Sequence, residues 1–316
     1  MSITSQRFDG VADLNNGTVY VPSGGKVVYV HSSGAAALDA LPEGMGANPD
    51  GFSTTINGGI NGLRSNRGDR VVVLPGHSEN ITGATSLSNL VAGVKVTGIS
   101  HGTADMPTVR WTGTAAQWAV SSAGCVFENL KLQLEGAVVA KAINVTANGV
   151  RFQRCRIQTG STITTNVATI AIEVGSGATE FQFNDNYMYG TGGVSTNGIK
   201  FVGATVPSNF DLRRNTFIFP ATEVNGLVHV TVAALDGFIE DCRFVNTVAS
   251  STAGLVLDNV ATTGFAVGCD FSCLNDGTAT AQGVIVGGSS VLWRFSRCFE
   301  VDEKGKNSIL SPGVGT

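Results

Sequence analysis

One short phrase recurs along this chain at nearly constant intervals and strongly restricts the possible folds. The phrase is an apolar residue, two variable positions, then Asn or Cys, and successive copies lie 26 to 31 residues apart. The Asn or Cys positions are Asn129, Cys155, Asn186, Asn215, Cys242, Cys269 and Cys298. The apolar positions three residues earlier are Val126, Phe152, Phe183, Leu212, Ile239, Ala266 and Phe295. A period of this length is typical of a β-solenoid, in which each rung holds three short strands and three turns.

A second apolar column supports the same period and consists of Ile143, Ile172, Ile199, Leu227, Leu255 and Val284. These residues lie in short runs that alternate apolar and polar side chains, which indicates strands with one buried face. We therefore expect an all-β chain folded as a right-handed, three-sided parallel β-helix of about seven to nine rungs. Its interior stack is predicted to contain Phe152, Phe183, Leu212, Ile239 and Phe295.

Charges of opposite sign alternate at the position before each Asn or Cys. The predicted ladder is Glu128, Arg154, Asp185, Arg214, Asp241 and Arg297, interrupted by Gly268. Burying one large apolar side chain is worth about 1.5–3 kcal/mol, whereas an exposed ion pair is worth roughly 0.2–1 kcal/mol. Apolar stacking should therefore set the register, and the ladder should disfavour skipped rungs, which would align like charges.

Asp185 and Asp241 are the carboxylate pair that most resembles a catalytic site. Two rungs would separate them by roughly 9.6 Å, close to the separation in inverting glycosidases. Arg214 stands between them in the predicted ladder and would keep both acids ionised. We therefore favour structural pairing, with catalysis by Asp185 and Asp241 as the weaker alternative.

Other candidate residues form no recognisable constellation. His77 follows a Pro-Gly pair in a predicted turn, where a structural role is favoured over catalysis. The acids Asp211, Glu240 and Asp270 belong to different columns and are expected to be solvated. Three tryptophans, Trp111, Trp118 and Trp293, could line a sugar groove, but core packing or a subunit contact is favoured. No cofactor or metal site is predicted, since the histidines and cysteines lack metal-ligand spacing.

Composition narrows the function classes. Charged residues make up 14% of the 316 residues and the formal net charge is −4, which disfavours nucleic-acid binding. No apolar run is long enough for a membrane span, and the first residues lack a secretory signal. We expect a protein made in a cytoplasm and not secreted, with its cysteines reduced and a Cys269–Cys298 disulfide as the weaker alternative.

The repeat also divides the chain. Residues 1–51 lack it and are predicted to form an N-terminal cap or attachment segment. Residues 52–65 place Phe52, Ile56, Ile60 and Leu63 at helical spacing, which predicts a capping helix. The parallel β-helix is expected over residues 66–300, followed by a C-terminal tail over residues 301–316.

The predicted helix is followed by Gly68-Asp69-Arg70-Val71-Val72-Val73-Leu74-Pro75-Gly76-His77-Ser78-Glu79-Asn80-Ile81. This entry resembles that of pectate-lyase-like parallel β-helices, and the Pro-Gly-His-Ser-Glu-Asn-Ile version resembles β-helical structural proteins of tailed bacteriophages. The resemblance implies a virion protein, expected to be a non-enzymatic, homotrimeric capsid-decorating (cement) protein with itself and capsid proteins as partners.

Folds of this kind also serve as lyases and glycosidases. The alternative is therefore a tailspike-like enzyme or receptor-binding tail protein that acts on a bacterial surface glycan. A surface adhesin is a third hypothesis, but it would require export.

Overall fold

The computed structural model shows an all-β chain with three parallel sheets that form a β-solenoid of about seven turns. The structure describes residues 11–14, 17–20, 25–34, 51–84, 87–134, 137–160, 168–190, 195–203, 209–221, 226–231, 236–247, 254–258, 262–273, 284–286, 292–301 and 307–309. From Arg70–Val73 to Val284–Val286, each rung contributes one strand to each sheet, and each strand pairs in parallel with its equivalents in the neighbouring rungs. The all-β class and the three-sided parallel solenoid predicted from the repeat are confirmed, and the right-handed coil stays a prediction.

The three sheets are named here in order of strand number. Sheet 1 has 8 strands, Leu87–Asn89, Trp118–Val120, Lys141–Val145, Ile170–Val174, Asn197–Phe201, Val228–Val230, Leu255–Leu257 and Val284–Val286. Sheet 2 has 11 strands, Gly51–Ser53, Val27–Val30, Arg70–Val73, Lys95–Gly98, Val126–Glu128, Arg151–Gln153, Phe181–Asn184, Phe210–Arg213, Gly237–Glu240, Thr263–Val267 and Leu292–Ser296. Sheet 3 has 10 strands, Ser78–Ile81, Thr108–Trp111, Lys131–Gln133, Arg156–Gly160, Tyr187–Gly190, Thr216–Phe219, Arg243–Asn246, Asp270–Cys273, Phe299–Val301 and Asn307–Ile309.

The predicted interior stack lies in sheet 2. Phe152 pairs with Phe183, Phe183 with Leu212, and Leu212 with Ile239. The stack continues through Ala266 to Phe295, and all of these side chains are buried. Consecutive apolar side chains therefore fill one continuous core along the solenoid axis.

Two expected positions were wrong by one residue. Phe127, not Val126, pairs with Phe152, and Phe127 is fully buried. In the second column Ile199 pairs with Val228, not with the predicted Leu227. Both errors arise where two adjacent apolar residues make either register compatible with the pattern.

The Asn and Cys column forms a hydrogen-bonded ladder inside the corner between sheets 2 and 3. The Asn186 amide donates to the Phe152 carbonyl at 3.0 Å, and the Asn215 amide donates to Phe183 at 2.5 Å. The Cys242 thiol takes the equivalent place and donates to the Leu212 carbonyl at 3.3 Å. Asn and Cys can replace one another in this column because either side chain supplies one donor to the preceding rung.

The five cysteines whose side chains the structure describes are free and buried: Cys125, Cys155, Cys242, Cys269 and Cys298. Burial raises the pKa of the Cys155 thiol to about 11. A hydrogen bond with Cys242 raises the pKa of Cys269 to about 12. Cys155 and Cys269 thus remain protonated at neutral pH.

Two glycines make room for a tryptophan in the core. Gly237 and Gly264 are equivalent residues in successive rungs, and Trp293 follows in the next rung. The Trp293 ring reaches back past both glycines to stack on Phe210 at 6.0 Å. A Cβ at Gly237 would lie 2.6 Å from the Phe210 ring, and one at Gly264 would lie 2.5 Å from Trp293. The missing side chains are therefore required for this packing.

The N-terminal end differs from the predicted division. Val27–Val30 lies within the predicted attachment segment, yet it pairs in parallel with Arg70–Val73 and with Gly51–Ser53 in sheet 2. The helix covers only Ile56–Asn61, because Phe52 belongs to a strand and Gly62 ends the helix. An antiparallel pair, Val11–Leu14 with Gly17–Tyr20, precedes these elements.

The C-terminal end also extends beyond the predicted boundary. Asn307–Ile309, within the predicted tail, pairs antiparallel with Phe299–Val301 at the edge of sheet 3. Among the described residues, this is the last strand of the solenoid.

The entry motif ties the first rung to the helix through two buried acids. Asp69 accepts the backbone N–H groups of Lys26 at 2.7 Å and of Arg64 at 2.8 Å. Glu79 accepts the N–H of Ile56 at the start of the helix, at 2.8 Å. These bonds hold the loop after the helix and the first strands of sheet 2 in place.

Candidate functional site

The predicted charge ladder lies at the corner where the chain leaves sheet 2 for sheet 3. The residues at this corner have left-handed backbone conformations, with φ of 55° at Asn129, 53° at Arg154, 58° at Asp185, 51° at Arg214, 49° at Asp241, 65° at Gly268 and 52° at Arg297. From Asn129 to Gly268, each N–H donates to a carbonyl in the next rung. The column therefore turns the chain identically in successive rungs.

Asp185 and Arg214 form a bidentate ion pair across neighbouring rungs. The Arg214 Nε lies 2.6 Å from one carboxylate oxygen, and an η nitrogen lies 3.0 Å from the other. The hydrogen bonds from Arg214 hold the pKa of Asp185 below its usual value. Asp185 is thus kept as a carboxylate, whereas a general acid must carry a proton.

Asp241, the second acid of the weak catalytic alternative, lies in the rung after Arg214. Its carboxylate occupies the space that a side chain at Gly268 would need. The hydrogen bonds with Asp185, followed by the charges of the neighbouring acids including Asp241, raise the pKa of Arg214. A permanently charged guanidinium therefore lies between the two acids.

Glu128 was assigned to the wrong column. Asn129 occupies the left-handed corner, and Glu128 instead pairs in register with Gln153 on the outer face of sheet 2. Its buried carboxylate contacts the Lys95 ammonium at 2.6 Å and the guanidinium of Arg154. An Asn can occupy either the Asn and Cys column or a left-handed corner. The repeated phrase placed Asn129 in the Asn and Cys column, which put Glu128 in the corner column by mistake.

A second corner, where the chain enters sheet 2, changes character along the solenoid. Its left-handed residues are Asn66, Gly93, Gly124 and Gly149 in the first rungs, and Glu180, Asn209 and Asp236 later. Three of these corner residues are exposed and line a cavity of about 340 Å³: Glu180, Asn209 and Asp236. The cavity is also lined by Gln182, Asp211 and Phe238 on the outer face of sheet 2.

A cavity of about 410 Å³ lies beside the first and shares Asp236 and Phe238 with it. Phe265, Thr263 and Arg294 complete its side-chain lining. Together the two cavities form what we call the sheet 2 groove. It extends along the solenoid axis over consecutive rungs.

Arg213 contacts two acids, Asp211 and Glu240, that no pattern in the sequence places together. The Arg213 Nε lies 2.7 Å from one Asp211 carboxylate oxygen, and an η nitrogen lies 3.4 Å from Glu240. The Arg213 guanidinium also lies 4.8 Å from the centre of the Phe238 ring. Asp211 and Glu240 belong to different columns, as expected, but both contact Arg213 and are only partly exposed. Asp270 lies elsewhere, in sheet 3 near Arg243.

The remaining candidates are structural. Trp111, Trp118 and Trp293 are buried and cannot line a surface groove. His77 is also buried, with its Nε2 3.3 Å from Glu79, beside the start of the helix. These observations match the structural roles favoured from the sequence.

The sequence pattern did not predict the sheet 2 groove, because the residues that line it differ in residue type. Gln182, Asp211, Phe238, Phe265 and Arg294 pair in register on the outer face. Only their spacing, which equals that of the repeat, could have indicated a common surface. Interior columns are uniformly apolar and can be detected, whereas exterior columns are under no such packing constraint.

No protein-family model, curated protein or solved structure matches this chain. Within the described parts of the chain, no helix has the length and apolar character needed to cross a bilayer. The described histidines, cysteines and acids contain no group of three or more arranged to hold a metal ion.

Proposed function

We propose that this chain is a non-enzymatic structural protein of a tailed-bacteriophage virion, where it decorates the capsid as a homotrimeric cement protein. The entry motif from Gly68 to Ile81 supports the virion assignment through its resemblance to phage β-helical proteins. The low charged content, 14%, supports extensive contact with other subunits, because removing water from a surface with few charges costs little free energy.

The observation that carries the structural role is the pairing of charges between rungs. Asp185 binds Arg214 in the next rung, and Glu128 binds Lys95 and Arg154 in the rungs on either side. These acids are engaged in contacts between rungs and are not left free to act on a substrate. The attachment role falls to residues before position 25, since Val27–Val30 already belongs to sheet 2.

Quantitative mass spectrometry of purified virions tests this proposal. We expect a copy number comparable with that of the major capsid protein and loss of capsid stability when the gene is deleted. Light scattering of the purified chain should give the mass of a trimer. A copy number matching a few tail fibres would contradict decoration, and absence from particles would contradict the virion assignment.

The sheet 2 groove supports a second candidate, cleavage of a surface polysaccharide by acids such as Asp211 and Glu240. Both acids contact Arg213, so neither is presented alone to a substrate. Incubation with capsular polysaccharide and lipopolysaccharide distinguishes the two functions. We expect no new reducing ends and no unsaturated products, and either product would favour the enzyme.

A further inference from the structure

We propose that the sheet 2 groove binds a neutral oligosaccharide that lies along the solenoid axis. This inference goes beyond the structural role and does not depend on it. Four features of the groove carry it: the corner side chains, the neighbouring aromatic rings of Phe238 and the more exposed Phe265, the shape and the balance of charge.

The corner side chains are the first feature. Glu180, Asn209 and Asp236 have φ of 56°, 67° and 64°, a conformation that glycine adopts without penalty. Gly93, Gly124 and Gly149 occupy the equivalent corner in earlier rungs. Apart from Asn66 in the first rung, polar side chains therefore replace glycine at this corner only where the chain borders the groove, although the backbone favours glycine throughout.

The aromatic rings are the second feature. Phe238 and Phe265 are neighbours on the outer face of sheet 2, with ring centres 6.1 Å apart and planes inclined by 20°. Phe265 keeps 37% of its surface exposed. Adjacent phenyl rings on a solvent face offer an apolar surface to the C–H face of a sugar ring.

Shape is the third feature. The outer column runs from Gln182 through Asp211, Phe238 and Phe265 to Arg294. With strands about 4.8 Å apart, these five rungs span roughly 19 Å. The groove is therefore elongated, and its cavities of about 340 and 410 Å³ share Asp236 and Phe238. An extended chain of sugar units fits this form better than a single compact ligand.

The fourth feature is charge, because the side chains that line the groove favour a neutral ligand. Within the described residues, neither Glu180 nor Asp236 makes an ion pair, so their oxygens can accept sugar hydroxyl groups. An anionic glycan would meet these carboxylates and Asp211, while Arg213 is already occupied by Asp211 and Glu240. A strongly cationic ligand would meet Arg294 at the end of the groove. Polar groups of both signs beside aromatic rings suit an uncharged polyhydroxy chain.

Binding of the full-length protein to a printed array of neutral and anionic bacterial oligosaccharides tests the inference, followed by titration calorimetry with the strongest neutral oligosaccharide. We expect neutral oligosaccharides to bind and Phe265→Ala to weaken binding about tenfold. Asp236→Asn, which tolerates the left-handed corner, should weaken it severalfold. Phe299→Ala removes a phenylalanine that is 51% exposed on sheet 3 and serves as the matched control, with unchanged affinity.

Each contrary result overturns the inference. Binding to no oligosaccharide, or only to anionic ones, contradicts the predicted ligand class. Equal affinity of Phe265→Ala and the unaltered protein contradicts the site, provided that circular dichroism shows both to be folded. A change of oligomeric state in Phe265→Ala would identify the groove as a subunit contact instead. None of these results alters the copy number in virions, so the structural proposal is tested separately.

Discussion

At the scale of single residues, the polar groups of this solenoid act between rungs. Arg214 holds Asp185, the Asn215 amide reaches back to Phe183, and Asp69 joins two chain segments that are far apart in sequence. Each of these contacts joins one segment to another that lies beside it in space. Single substitutions should therefore test the stacking directly.

Arg214→Ala should remove the ion-pair partner of the Asp185 carboxylate. Because the folded-state pKa of Asp185 is lowered, its ion pair contributes stability above the unfolded pKa, and this contribution is lost as pH falls through the folded pKa. We expect the Asp185 pKa to rise in the variant, as followed by NMR titration of the carboxyl carbon. The same pKa in both proteins would contradict the pairing.

Asp69→Asn should destabilise the N-terminal end. Both carboxylate oxygens accept backbone N–H groups, and an amide has only one oxygen to replace them. A buried donor left without a partner costs about 1–3 kcal/mol, which urea unfolding can measure. Asp270→Asn, at a partly exposed pair, should stay within about 0.5 kcal/mol. Equal effects of the two substitutions would contradict the role of Asp69.

At the scale of elements, the interior columns were predictable from the sequence and the exterior surfaces were not. Phe183, Leu212 and Ile239 must all be apolar because they share one interior, so their spacing predicts their stacking. Val126 and Leu227 were each displaced by one position because an adjacent apolar residue satisfied the same pattern. The sheet 2 groove could not be predicted, since no packing constraint places a common residue type on its exterior column.

The glycine pair that admits Trp293 provides a test of element packing. Gly237→Ala or Gly264→Ala would place a methyl group against Phe210 or Trp293, and such overpacking costs about 1–3 kcal/mol. Gly102→Ala is the matched control, because nothing lies within 4 Å of its added methyl group. Thermal unfolding should separate them, and equal midpoints would contradict the packing of Trp293.

The thiol ladder provides another test. Burial raises the pKa of Cys155 to about 11, and only the thiolate is nucleophilic. Cys155, Cys242, Cys269 and Cys298 are all buried, so they should resist iodoacetamide at pH 8 until urea unfolds the chain. Peptide mass spectrometry can follow each site. Rapid labelling of any of these residues in the native protein would contradict its buried position.

At the scale of the whole molecule, equivalent rungs stack in parallel register around one core. This arrangement should tolerate removal of a complete rung, because the flanking rungs carry matching interior columns. Arg151 and Gln182 are equivalent residues in neighbouring rungs. Deleting residues 151–181 therefore joins Val150 to Gln182 in phase, and it leaves the sheet 2 groove intact except for Glu180 and Phe181.

The most direct test compares this deletion with one that is out of phase. Deleting residues 151–160 removes the strands Arg151–Gln153 and Arg156–Gly160 but keeps the third strand of the rung. Far-ultraviolet circular dichroism during urea unfolding is the measurement. We expect β-structure and a single cooperative transition for the in-phase deletion, and loss of both for the out-of-phase deletion. Equal behaviour of the two deletions would contradict the stacked register.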